Sequence, residues 1–159
     1  MPISEYIKRL RARVGTDLIQ MPCVAAVIHD RGKVLVTRRS DNGLWCLPGG
    51  AIDPDEAPAQ AIVREVREET GLRVRPHKIL GVFGGHRHLY PNGDQTSIVK
   101  IAFGCSVIGG ELQCNDGEVS ELVFVSPDAM PQLMFPYPAH IFTVALKDPY
   151  FQWDDAWLE

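Results

Sequence analysis

An α/β fold of the α+β kind, with a mixed β-sheet between helices, is what the order of elements predicts. Three observations carry it. The chain opens on a capped amphipathic segment, and two apolar runs joined by a short turn follow. A second helix, bounded by Pro58 and Gly71, then separates these runs from further strand-like segments.

Each element has a local reason. Ser4 to Val14 puts Ile7, Leu10 and Val14 on one face, with Ser4 as N-cap and Gly15 as stop. Its other side carries Lys8, Arg9, Arg11 and Arg13, which read either as a solvated face or as a substrate or dimer contact. Val24 to His29 and Lys33 to Arg38 form a strand pair around Asp30-Arg31-Gly32. A loop through Asp41-Asn42-Gly43 leads to the turn Pro48-Gly49-Gly50, and the second helix follows, with Ala57 as a poor N-cap. Val74 to Phe83 and Ser97 to Val107 read as strands separated by a loop from Gly84 to Thr96. Gly109-Gly110 reads as a tight turn, Glu121 to Val125 as a strand, and about Ala139 to Leu146 as a helix covering the other sheet face. The acidic tail, about 147–159, carries Trp153 and Trp157. It is expected to dock on the domain or on a partner chain, and a homodimer stays open.

With 159 residues and 45% hydrophobic composition, the chain reads as one domain over 1–159 with enough length for a real core. No apolar run approaches the ~20 residues of a membrane span, and the charged N-terminus lacks a signal-peptide region. Cys23, Cys46, Cys105 and Cys114 are scattered without a Cys-x-x-Cys pair, which suits a reducing, cytoplasmic setting. The net charge of −4 argues against an extended nucleic-acid surface and is compatible with a small anionic substrate.

The chemistry concentrates between Gly50 and Leu72. Glu65, Glu68 and Glu69 stand at i, i+3 and i+4 of the second helix, within one stripe of about 100°. Like charges at these spacings each cost a few tenths of a kcal/mol, and the negative end of the helix dipole disfavours them further. Such a stripe calls for a positive partner, and carboxylate oxygens suit Mg²⁺ or Mn²⁺. Ala59, Val63 and Val66 fall on the face roughly opposite and are expected to pack into the core.

The full spacing is Gly-x5-Glu-x7-Arg-Glu-hydrophobic-x-Glu-Glu-x-Gly-hydrophobic, filled by Gly50, Glu56, Arg64, Glu65, Val66, Glu68, Glu69, Gly71 and Leu72. The segment, with its lead-in Leu44 to Gly50, resembles the Nudix (MutT-like) hydrolase family over roughly residues 22–127. That resemblance implies an α/β/α sandwich with the acidic helix against one face. It also implies hydrolysis of a nucleoside diphosphate linked to some other moiety, a nucleotide being the small-molecule partner. By position, Glu65, Glu68 and Glu69 correspond to the family's metal ligands, Gly49 to a backbone carbonyl that completes the site, and Arg64 and Glu56 to orienting residues. The general base is either a motif glutamate or an acid on a later loop, where Glu118 is favoured over Glu121. Substrate contacts are expected from Arg38 or Arg39, Tyr90 and His86, with His88 and Trp45 each carrying a non-functional reading as well. The polar segment from His86 to Asp94 is expected to select the leaving group or base. A nucleotide-sensing Nudix-like domain is the alternative, although such domains usually lose motif carboxylates that this chain keeps. An isoprenoid diphosphate isomerase is disfavoured because its Cys and Glu motifs are not recognisable here.

Overall fold

The computed structural model describes residues 4–115, 117–143 and 150–151. Asp116 and the tail bearing Trp153 and Trp157 lie outside these residues. Helix α1 spans Glu5–Val14, and the Ser4 hydroxyl accepts a hydrogen bond from the Ile7 N–H at 3.3 Å. Its cationic face is not simply solvated. Arg11 reaches the Gln95 carbonyl at 2.8 Å and Asp94 at 3.6 Å, so α1 clamps a distant turn.

Strand β1 (Leu18–Asp30) runs parallel to β5 (Gln95–Gly110), which pairs antiparallel with β4 (Leu72–Leu89). β2 (Lys33–Arg39) meets the end of β1 and the short β3 (Trp45–Cys46). It also pairs antiparallel with β6 (Val119–Val125). β7 (Tyr150–Phe151) adds to β4 in parallel. The sheet is therefore mixed, as expected, and β1 at its centre is buried on both faces. Cys23, Ala25 and Val27 point into one core, while Val24, Ala26 and Ile28 point into the other. Among the described residues no helix is long and apolar enough to cross a membrane.

Helix α2 (Pro58–Thr70) covers the second of these faces. Ala57 has no side chain with which to cap it. Instead Gln60 turns back and accepts from the Ala57 N–H at 2.9 Å, which is half of a capping box. The helix packs through Ala61, Ile62 and Val66, all fully buried. Val66 is buried as expected, but the rest of the expected core face is corrected, because Val63 is 36% exposed and Ala59 is exposed too. The acids do not lie opposite the core. Glu65 and Glu69 sit on its margin and are buried with it.

Three further expectations change. The loop expected from Gly84 to Thr96 shrinks to Tyr90–Asp94, because β4 and β5 continue on either side. A bulge between Phe83 and His86 accommodates Gly84 and Gly85, the latter at a φ of 73° that favours glycine. Gly109-Gly110 is not a turn but the end of β5, paired with Arg73 and Leu72. Of the helix expected over 139–146, Ala139–Phe142 form a single 3₁₀ turn ended by extended backbone at Thr143, and 144–146 lie outside the described residues. Its buried Ile141 and Phe142 still cover the first sheet face together with Phe135.

Candidate active site

The loop from Pro48 to Ile52 is laid along β1 by hydrogen bonds from Val24 N–H to the Gly50 carbonyl (2.9 Å) and from Ala26 N–H to the Pro48 carbonyl (2.8 Å). Only glycines fit here. A Cβ on Gly49 would lie 2.2 Å from the Val24 carbonyl oxygen. One on Gly50 would lie 2.6 Å from a Glu65 carboxylate oxygen. The loop thus forms a backbone seat for α2's acids, and the Gly49 N–H donates to Glu69 at 3.0 Å.

Arg64 organises the seat. Its guanidinium forks onto Glu56 at 2.7 and 2.8 Å, donates to Glu65 at 2.9 Å and to Glu68 at 3.3 Å, and reaches the Ala51 carbonyl at 3.1 Å. Glu56 also accepts from the Asp53 N–H at 3.1 Å. The Arg64 guanidinium holds the Glu56 carboxyl below the usual range and is itself pushed up by that contact. Burial pushes Glu65 the other way, up to about 7, against the pull of Arg64.

Among the described residues no three His, Cys, Asp or Glu side chains converge to hold an ion as they stand. The donor set nonetheless fits a hard divalent cation. It consists of carboxylate oxygens, with Glu65 and Glu69 seated against Gly49–Gly50 and Glu68 40% exposed beside its 3.3 Å contact with Arg64. The Gly49 carbonyl has no hydrogen-bond partner among the described residues, unlike its neighbours at Pro48 and Gly50.

Other expected residues are placed elsewhere. Arg38 lies over the Trp45 ring at 5.7 Å and pairs with Glu121 at 3.5 Å, while Arg39 is forked onto Asp41 at 2.7 and 2.9 Å. Both guanidinium groups are already committed to protein partners. Glu118 is fixed through its backbone, its carbonyl accepting from Ser40 N–H at 2.7 Å at the end of β2. Tyr90 packs edge-on against His88 at 4.4 Å in the turn that Arg11 clamps. His86 instead enters a cleft on the sheet face away from α2, against Phe135 at 5.2 Å. That cleft includes Lys100, a residue not singled out from the sequence. Its signal was a lone lysine at period two between the apolar Ile98 and Ala102.

Gly50→Ala is expected to lower hydrolytic turnover about a hundredfold, because the new methyl must displace the Glu65 carboxylate by a large fraction of an ångström. Far-ultraviolet circular dichroism should show the fold retained. Wild-type turnover in this variant would mean that the Glu65 position is unimportant.

Comparison with known proteins agrees with this geometry. The NUDIX domain model matches residues 20–144. A MutT-like protein of Streptomyces ambofaciens is 29% identical over 143 residues, covering 90% of this chain and 84% of its own. An ADP-ribose pyrophosphatase of Methanocaldococcus jannaschii is 34% identical over 138 residues, covering 83% and 75%. The crystal structure of an ADP-ribose pyrophosphatase from Streptococcus suis superposes with a TM-score of 0.65 at 29% identity, covering 83% of this chain and 96% of that one. With this match along most of its length and the motif's acids seated on the glycine loop, the chain belongs to the NUDIX hydrolase family.

Proposed function

We propose that the chain is a divalent-metal-dependent hydrolase of a phosphoanhydride bond in a nucleoside diphosphate linked to a further group. That group makes the substrate a nucleoside triphosphate, a nucleoside diphosphate sugar or a dinucleoside polyphosphate. Mg²⁺ is the metal, with Mn²⁺ as a substitute. The observation that carries this reading is the gathering of Glu65, Glu68 and Glu69 on one margin of α2, two of them seated on the Gly49–Gly50 backbone. The named activities of the Methanocaldococcus and Streptococcus relatives support it.

Glu65, Glu68 and Glu69, with the Gly49 carbonyl, are the residues that would hold the cation. When bound, it neutralises phosphate oxygens and makes a coordinated water more acidic. The chain's own residues supply the positioning. Arg64 orients Glu65, and Glu56 with the Asp53 N–H fixes Arg64. Glu118 or a motif glutamate takes the proton of the attacking water.

The test is phosphate or pyrophosphate release from a nucleotide panel with Mg²⁺ and with Mn²⁺, coupled to a pyrophosphatase. At least one nucleotide should be cleaved, and EDTA should abolish cleavage. Binding of nucleotides with none cleaved would replace this reading with the sensing one. In the same samples the melting temperature should rise with Mn²⁺, since a ligand at a hundredfold excess over Kd stabilises the native state by about 2.7 kcal/mol. No shift at millimolar Mn²⁺ would contradict a metal site on these carboxylates.

A further inference from the structure

Helix α1 lies outside residues 20–144, the stretch that matches the NUDIX domain. None of its residues is fully buried, so core packing alone does not hold it. Arg11 fastens it instead, with only 14% of its side chain exposed. Nη1 donates to the Gly15 carbonyl at 3.1 Å and to the Asp17 carbonyl at 2.7 Å. Nη2 donates to the Gln95 carbonyl at 2.8 Å, and Nε lies 3.6 Å from the Asp94 carboxylate. One guanidinium thus joins the end of α1, the linker into β1 and the start of β5.

Gln95 is a point where strands end. Leu18 of β1 and Leu89 of β4 both stand opposite it. Such ends open first, and Arg11 closes this one. The turn behind it is closed on itself. The Tyr90 N–H donates to the Asp94 carbonyl at 2.9 Å, and the Gly93 N–H to the Tyr90 carbonyl at 2.9 Å. The Asn92 amide donates to the Asp94 carboxylate at 3.0 Å, so that carboxylate is shared between its own turn and Arg11. A displacement at Asp94 is therefore passed to Tyr90.

Tyr90 and His88, 4.4 Å apart and edge to face, stand beside the loop that follows β2. Burial first, and then His86 and Arg39, hold His88 below the usual histidine range. The Asp41 fork raises Arg39 against burial, and Tyr90 adds to that effect. The loop is pinned by the Arg39 N–H on the Leu44 carbonyl at 2.9 Å. It then runs through Trp45, Cys46 and Leu47 into the Pro48–Gly50 seat of the acids. A continuous brace leads from α1 through the turn and this loop to the seat.

We propose that Arg11 is a positioning residue for hydrolysis: it holds Tyr90, through its turn, against the Arg39–Asp41 loop and so fixes one rim of the space that a nucleotide anchored at the acids must fill. A rim that has to be ordered on binding costs affinity. Loss of the brace therefore weakens substrate binding, while the acids keep their seat on the glycine loop.

Arg11→Met is expected to raise KM for the best-cleaved nucleotide about tenfold and to leave kcat within about twofold. Arg11→Lys should behave alike, because an ammonium cannot reproduce the fork, and it serves if the first variant fails to fold. In a Tyr90→Ala background, Arg11→Met should change KM less than about twofold, since both act through one turn. A general loosening of the fold would instead give additive effects. Additive effects, an unchanged KM or a fall in kcat alone each overturn the proposal. Amide hydrogen exchange over residues 90–95 should also be faster in Arg11→Met without nucleotide, and unchanged exchange overturns it too.

The kinetic half of this test rests on the phosphoanhydride-hydrolase reading, and the binding half does not. With Mg²⁺, the Kd of α,β-methylene ATP should rise in Arg11→Met by about the same factor as KM. If no nucleotide is cleaved but this weakening holds, the hydrolase reading fails while the brace stands. If nucleotides are cleaved without the weakening, the reverse is true. A native chain that binds no nucleotide overturns both.

Discussion

The Glu65→Gln protein, stripped of metal, is expected to melt at a higher temperature than the native chain at pH 8, while its hydrolytic rate falls by roughly two to three orders of magnitude. The Glu65 side chain is 1% exposed, and burial raises its carboxyl to about 7. The folded chain therefore holds this proton more tightly than the unfolded chain does, whose glutamates titrate in the ordinary range. The stability linked to that proton is complete below the ordinary glutamate value and is lost as pH rises through about 7. Glutamine has nothing to lose over this window. The stability difference between variant and native should therefore grow from pH 5 to pH 8, towards a value on the order of 3 kcal/mol. Urea denaturation of the metal-free proteins across that range measures it. A difference that stays flat with pH would show that Glu65 does not carry a strained charge.

The second large effect is expected at Arg64. Arg64→Met removes the donors that satisfy Glu56, Glu65 and Glu68 together and leaves the Ala51 carbonyl without that contact. Of these partners only Glu65 is fully buried, and leaving a buried acceptor unsatisfied costs about 1–3 kcal/mol, more when it is charged. The loss should be greater at pH 8 than at pH 6, where Glu65 can take up a proton instead. Arg64→Lys should recover part of the stability but little of the activity, because an ammonium cannot reproduce the fork onto Glu56. Calorimetric unfolding decides the matter. A loss below about 1 kcal/mol would make this no more than a surface ion pair.

The motif helix was legible in the sequence because its determinants are local: Pro58 at the start, Gly71 at the end and acids at helical spacing. The face it buries was not. Opposition on a helical wheel pointed to Ala59 and Val63, whereas the helix lies with its acids tucked towards the glycine loop, and that tilt depends on contacts with β1. Gly84-Gly85 looked like a strand end, yet a ladder of long-range hydrogen bonds tolerates a bulge and carries both strands on to Leu89 and Gln95. Ala139 to Leu146 is apolar enough for a helix, but the backbone leaves the helical region at Thr143 after one turn. The arginines at 38 and 39 were plausible phosphate ligands from position alone. Their partners Glu121 and Asp41 could be known only once β6 and the loop after β2 were placed.

Leu47 packs in the core on the sheet face away from α2, and the next three residues, Pro48 to Gly50, form the backbone that seats Glu65 and Glu69 on the other face. The glycine loop is thus less a boundary than a keystone: a shift on either side of the sheet is passed through it to the other, so a substitution packed beneath Leu47 should disturb the acids without touching them.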